Sequence, residues 1–192
     1  MAAHQTAGRG RLGRNWEAPP GANLLCSVLL RPDLPVDRLH LAVGAVALAG
    51  RAAALEVGGV HAGLKWPNDL LVEDGRKLAG VLAESALPAV VVGIGLNVGW
   101  APPGAACLGP GVLVEGVLDC LLVHLDRLVR DWDAVVAEYR RACVTVGQAV
   151  RVELADETFT GTAADVTDEG HLLVDVGMCL RTVAAGDVVH LR

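Results

Sequence analysis

Apolar residues gather along the chain into runs whose spacing predicts the elements. Asn23 to Arg31 (NLLCSVLLR) reads as a buried strand, closed by Pro32 and Pro35. From about Val36 to Val57 the spacing turns helical, with Leu39, Val43, Val46 and Ala47 on one face, until Gly58-Gly59 ends it. His61 to Trp66 is a short strand stopped by Pro67. Leu70–Glu73 and Lys77–Glu84 flank Asp74-Gly75, the signal of a tight hairpin. Leu87 to Val98 predicts another buried strand, and Trp100 to Gly111 a Pro/Gly-rich loop. Val112 to about Trp132 steps by three and four through Val117, Leu121, Leu125 and Leu128, as an amphipathic helix does. Asp133 to Cys143 continues as a second helix.

Beyond Gly147 the helical period disappears. Short alternating runs (Ala149–Leu154, Thr158–Ala164, His171–Val176, Leu180–Val183, Val188–Leu191) are split by acidic and glycine turns. Strands at that spacing predict a small, partly open barrel. The expected boundary lies near residue 146, giving units 1–146 and 147–192. Residues 1–20, with Gly8, Gly10, Gly13, Pro19 and Pro20, read as loop.

Composition narrows the function classes. At 192 residues and 53% hydrophobic content the chain can bury a core, which excludes disorder as its main state. A net charge of −6 argues against a dedicated binder of nucleic acid or membrane surface. The most apolar stretch, Leu39–Val57, is interrupted by Gly44, Gly50, Arg51 and Glu56 and does not read as a membrane span. The first residues carry no apolar run, so no signal peptide is expected. Five cysteines (Cys26, Cys107, Cys120, Cys143, Cys179) make no close pair, as in reduced cytoplasmic proteins, and no disulfide framework or metal site is expected.

The scarce residues are the informative ones. Lys65 and Lys77 are the only lysines against fourteen arginines, and Asn15, Asn23, Asn68 and Asn97 the only asparagines. Lysine is a compact, titratable point charge, so a chain this rich in arginine keeps it where the difference matters. Both lysines and three of the asparagines fall in four short segments. The first, Gly8 to Trp16 (GRGRLGRNW), sets Arg9, Arg11 and Arg14 among glycines: an anion-binding loop, or equally a solvated basic segment that ties down RNA. In the second, Lys65-Trp66-Pro67-Asn68-Asp69, the last two residues suit a ligand-facing corner or merely an Asx turn. The third runs Lys77 to Leu82, where Gly80 marks a close approach and alternation sets Lys77 on the face opposite Gly80. Lys77 could equally be an edge lysine that discourages aggregation. In the fourth, Gly93-Ile94-Gly95-Leu96-Asn97, glycines open a strand end to a ligand, or form a bulge.

Taken together and in this order, the four segments resemble the signature of the biotin–protein ligases: Gln5-Thr6-Ala7-Gly8-Arg9-Gly10-Arg11 with Gly13, Arg14 and Trp16, then the Lys-Trp-Pro-Asn-Asp, Lys-Leu-Ala-Gly and Gly-x-Gly-x-Asn motifs. The resemblance covers essentially the whole chain. It implies an α+β fold: a mixed β-sheet with packed helices of the biotin/lipoate ligase, class II synthetase-like type, and a small C-terminal β-barrel of Src-homology type. It implies two half-reactions, in which biotin and ATP give biotinyl-5′-AMP and pyrophosphate, and the acyl group then passes to a lysine of a biotin carboxyl carrier domain of acetyl-CoA carboxylase or a related acyl-CoA carboxylase. Mg2+ would accompany ATP and keep most of its water.

Residue by residue, the resemblance implies a biotin side of Gln5, Arg9, Gly10, Arg11, Lys77 and Gly80. It implies an ATP and adenylate side of Arg14, Trp16, Asn68, Asn97 and Arg192. Arg11 would also retain the adenylate, Lys77 would contact the biotin carboxyl and α-phosphate, and Asp69 would orient or deprotonate the acceptor amine. One departure stands out: the family's Ser-Thr-Asn segment, which binds biotin's polar head, precedes the Gln-x-Ala-Gly motif, whereas Met1 lies only four residues before Gln5. The expectation is therefore an N-terminally shortened copy, without the DNA-binding helical domain of regulatory members and so without DNA as a partner, working as a monomer or homodimer. Alternatives are a lipoate or octanoate ligase of the same fold, an inactive truncated fragment, and a non-enzymatic Arg-Gly module that binds nucleic acid.

Overall fold

The computed structural model describes residues 1–191, and of Leu12, Ser85 and Ala86 the backbone alone. Five strands form the first sheet: β1 (Leu24–Leu30), β2 (Ala62–Lys65), β3 (Asp69–Val72), β4 (Lys77–Ala86) and β5 (Ala89–Leu96), in the order β1-β5-β4-β3-β2. Every pairing between these strands is antiparallel. The expected mixed sheet is corrected to this extent, since among the described residues parallel pairing is confined to isolated bridges at Leu64–Cys143 and Lys77–Ala105. Short connections explain the direction, because strands joined by two- to four-residue turns can only return beside themselves. Asp74-Gly75 makes such a turn between β3 and β4: Gly75 has φ 85°, and Asp74 Oδ1 accepts from the Arg76 N–H at 3.0 Å. The run read as one strand from Leu87 begins instead at Ala89, because Leu87-Pro88 is the turn out of β4.

Helix α1 (Leu41–Gly58) lies on one face of the sheet. It starts five residues later than the spacing predicts, after a 3-10 turn at Val36–Arg38, and ends where expected, with Gly59 left-handed (φ 64°) and its N–H on Leu55 O at 3.0 Å. Its alanines and glycines are buried on nearly all sides rather than along one stripe. A Cβ at Gly50 would meet Ile94 Cδ1 at 2.7 Å, so the smallness of the residue sets how closely helix and sheet approach. The span Val36–Gly58 is long and apolar enough to cross a membrane, but most of its helical part, from Leu41 to Ala54, is packed in this protein's core.

Helices α2 (Val114–Leu128) and α3 (Trp132–Ala142) cover α1. They part earlier than the expected boundary after Trp132: α2 stops at Leu128 and Asp131 caps α3 by accepting from the Ala134 N–H at 3.0 Å, so Trp132 opens the second helix instead of closing the first. The buried faces carry Val117, Leu121, Leu125 and Leu128 on α2, as the spacing requires. Full burial of each such leucine contributes about 1.5–3 kcal/mol.

A second antiparallel sheet takes the strands β6 (Ala149–Glu153), β7 (Thr158–Val166), β8 (Leu172–Asp175), β9 (Leu180–Val183) and β10 (Asp187–His190) in the order β10-β6-β7-β8-β9. Inward positions Val150, Val152, Ala163, Leu172, Val174, Val183 and Val188 make its core. It is tied to the first part by the Trp66 indole N–H on Gly170 O (3.0 Å) and the Arg140 guanidinium on Val166 O, while Thr145, just before the sheet, accepts from the Trp66 backbone N–H (2.9 Å).

Candidate active site

The sheet face turned away from α1 carries a row of residues, one from each strand. Lys65 pairs with Asp69, Asp69 with Gly80, Gly80 with Gly95 and Gly95 with Leu25. Two adjacent glycines leave a shallow trough in the middle of the row. The Trp16 indole lies in it: a Cβ at Gly95 would stand 2.5 Å from Trp16 Nε1 and Cε2, and one at Gly80 3.3 Å from Cζ3. Glycine is required at both positions by this approach rather than by a turn. The Trp16 indole N–H is buried there without a hydrogen-bond partner among the described residues.

Lys77 reaches the same trough although simple alternation sets it on the other face. Leu70 pairs with Ala79 but Leu71 with Lys77, so Leu78 is an extra residue in β4, and everything before it changes sides. The Lys77 ammonium consequently stands 2.6 Å from Asp69 Oδ1 and 5.5 Å from the Trp16 ring centroid. The contact with Asp69 is an ion pair rather than an aligned hydrogen bond. It holds one ammonium beside the trough at modest desolvation, since both side chains keep some exposure.

The glycine-rich segment folds back over this face. Gly10 N–H donates to Arg14 O (2.6 Å) and Trp16 N–H to Gly8 O (3.0 Å), with a 3-10 turn at Arg11–Gly13. Arg11 is the best anchored of its arginines: one Nη donates to Asn68 Oδ1 at 3.2 Å and the other to Gly186 O at 2.8 Å. Asn68 in turn donates to Val81 O at 2.9 Å, which fixes the corner after Pro67 to β4. Asp187, at the start of β10, faces both Arg11 (3.5 Å) and Arg14 (2.9 Å). Arg9 projects into solvent, 3.6 Å from Glu84.

These elements enclose one cavity of about 910 Å3, within the range of small-molecule sites. From the loop it is lined by Gln5, Arg9, Gly10, Arg11, Arg14 and Trp16. Asn68, Asp69, Lys77, Gly80 and Asn97 line it from the sheet. Asn97 differs from the others, being 2% exposed with its amide already committed: it donates to Ala106 O (2.9 Å) and accepts from Asn23 (3.2 Å). Arg192 lies outside the described residues. Asp187 is the residue the sequence reading missed. Its only local signal was a turn acid in Ala185-Gly186-Asp187, and its partners lie more than 170 residues away.

Comparison with known proteins agrees with this geometry. Residues 1–100 match the Biotin/lipoate A/B protein ligase family and residues 145–191 the Biotin protein ligase C terminal domain. The whole chain is 44% identical to a biotin–[acetyl-CoA-carboxylase] ligase of Mycobacterium tuberculosis, spanning 78% of that protein. It is 27% identical, over 98% of its length, to the bifunctional ligase/repressor BirA of Bacillus subtilis, of which it spans 64%. The structure of a biotin protein ligase from Aquifex aeolicus in complex with biotin and ATP superposes with a TM-score of 0.84 at 26% identity, covering 100% of this chain and 87% of that one. With both sequence segments matched and the architecture shared from end to end, the chain belongs to the biotin/lipoate A/B protein ligase family.

Proposed function

We propose that the chain is a biotin–protein ligase that condenses biotin with ATP to biotinyl-5′-AMP, releasing pyrophosphate, and passes the biotinyl group to a lysine of a carboxylase carrier domain. The observation that carries this reading is the meeting of the arginine loop with the Lys77–Asp69 pair over a glycine-floored trough in one cavity. Bringing a carboxylate to an α-phosphate joins two anions, and positive charge fixed beforehand at that point lowers the barrier. Lys77 is the cation free to shift between Asp69 and the reacting oxygens. Arg11 closes the loop over the intermediate, while Arg14 and Trp16 serve the nucleotide side. Gln5, Arg9, Gly10 and Gly80 serve the biotin side.

In the second half-reaction the acceptor amine attacks the acyl carbon and AMP leaves with the bonding electrons. The amine's proton must go to a base, and Asp69, relieved of Lys77, is placed to take it. Asn68 and Asn97 act by holding backbone: Asn68 locks the corner under Arg11, and Asn97 fixes the end of β5. Mg2+ enters as part of the nucleotide substrate. The division near residue 146 makes 1–146 the catalytic unit and 147–192 a unit that contributes Asp187 and Gly186 to the loop's anchorage. The net charge of −6 supports a reading without nucleic acid as partner.

A lipoate or octanoate ligase is the second reading within the same family; the match of residues 145–191 to a biotin protein ligase C-terminal domain favours biotin. Pyrophosphate release with ATP and each acid in turn separates them. Release dependent on biotin is expected, and release with lipoate or octanoate but not biotin overturns the assignment.

A further inference from the structure

Glu56, Cys120 and His124 bring three metal-ligating atoms within 4.8 Å of one another, and none of the three residues lines the cavity. Cys120 and His124 stand four residues apart on α2, so both side chains leave the same helical face. Glu56 comes from the last turn of α1. Its two carboxylate oxygens are divided between them: Oε1 lies 2.8 Å from His124 Nε2, and Oε2 accepts from the Cys120 thiol at 3.4 Å. The backbones of α1 and α2 are fixed by their buried contact, so the three donors stay together without a bridging ion.

We propose that Glu56, Cys120 and His124 form a surface site for a zinc-class divalent cation, stapling the end of α1 to the middle of α2. Tetrahedral zinc, with bonds of about 2.0–2.3 Å, sets its donor atoms about 3.3–3.6 Å apart. The Cys120 Sγ–Glu56 Oε2 separation already has that value; the 2.8 Å contact of His124 with Glu56 Oε1 must open, and the three donors, now within 4.8 Å of one another, must turn onto one ion, which side-chain rotation supplies. The donor set decides the class of ion, since a thiolate and an imidazole select zinc, cobalt or cadmium over magnesium and calcium. Binding breaks the Cys120 S–H bond, the sulfur keeps its electron pair and donates it to the metal, and the proton passes to the buffer. Three protein ligands leave a fourth position for water. No catalytic step is assigned to the site, because its residues are remote from the cavity and its ion would join two helices.

Cobalt(II) tests this with a readout independent of biotinylation. Tag-free protein, reduced with a phosphine, is titrated with Co2+ and followed by absorbance. A saturable thiolate-to-cobalt charge-transfer band at one ion per chain is expected, erased by Zn2+. Cys120→Ser removes the band, and Glu56→Gln and His124→Ala each weaken cobalt binding by about tenfold or more. Zn2+ also raises the Tm of the parent protein and not that of Cys120→Ser. No saturable band at millimolar cobalt overturns the proposal. So does a band that survives Cys120→Ser, which would belong to another thiol, or one indifferent to both Glu56→Gln and His124→Ala.

Discussion

Gly95→Ala probes the floor of the trough with a single methyl group. The added Cβ would stand 2.5 Å from Trp16 Nε1 and Cε2 and 2.8 Å from Cζ2, where ordinary contact begins at 3.4 Å. The indole has to lift by about 1 Å, and crowding of this kind costs about 1–3 kcal/mol. The backbone itself is not at issue, since β5 is regular extended strand at this point. The nearest obstacle to the added methyl is therefore Trp16. A double-mutant cycle measures it: urea unfolding of the parent, Gly95→Ala, Trp16→Ala and the double variant. Gly95→Ala should destabilise by about 1–3 kcal/mol when Trp16 is present and by less than about 0.5 kcal/mol when it is absent. The same substitution should raise KM for ATP by about tenfold, equivalent to about 1.4 kcal/mol, because it displaces the indole assigned to the nucleotide side. An equal penalty in both backgrounds would refute the placement of the indole on Gly95.

Three further outcomes follow from the same geometry. Lys77→Ala should lower the rate of adenylate formation by about 10²–10³-fold, measured as single-turnover pyrophosphate release, with the unfolding midpoint unchanged within error. Arg11→Gly cuts the loop from Asn68 and Gly186, so the reactive intermediate should escape; mass spectrometry of bystander proteins should then show lysines biotinylated indiscriminately, whereas unchanged selectivity would remove Arg11 from its role. Stability should decline as pH falls below about 6.5. His40, stacked on His171 at 4.9 Å, has its pKa lowered first by burial and then by His171, against opposing pulls from Asp37 and Glu169. His190 is lowered by burial and by Lys65. The unfolded chain thus takes protons first, so stability is complete above the ordinary histidine value and lost beneath it. His40→Gln should flatten the decline in urea melts.

Much of this arrangement could be read in advance, and the failures have physical causes. Strand β1, the β3–β4 hairpin and the C-terminal strands follow from apolar runs punctuated by Pro and Gly, which act locally. The loop arginines stood out because three of them crowd among glycines, and Lys77 because lysine is rare elsewhere in the chain. The side of the sheet on which Lys77 sits did not, because a bulge at Leu78 is set by pairing with β3 and leaves no mark on alternation. Glycines 80 and 95 announced a close approach, but what approaches is the protein's own Trp16, supplied by a distant loop. Asp187 was invisible as a loop anchor because the second sheet brings it to Arg11 and Arg14 only after folding. The helix expected to run from Val112 to Trp132 breaks because Asp131 makes a better cap than a helix interior residue.

The most direct experiment is to incubate the protein with biotin and Mg-ATP in the absence of any carrier, remove free ligand, and weigh the complex by native mass spectrometry. One biotinyl-5′-AMP should remain bound per chain, and Lys77→Ala should carry none under the same conditions. A protein that retains no acyl-adenylate, or a Lys77→Ala variant that makes it as readily as the parent, would show that the loop arginines and Lys77 do not act together on these substrates.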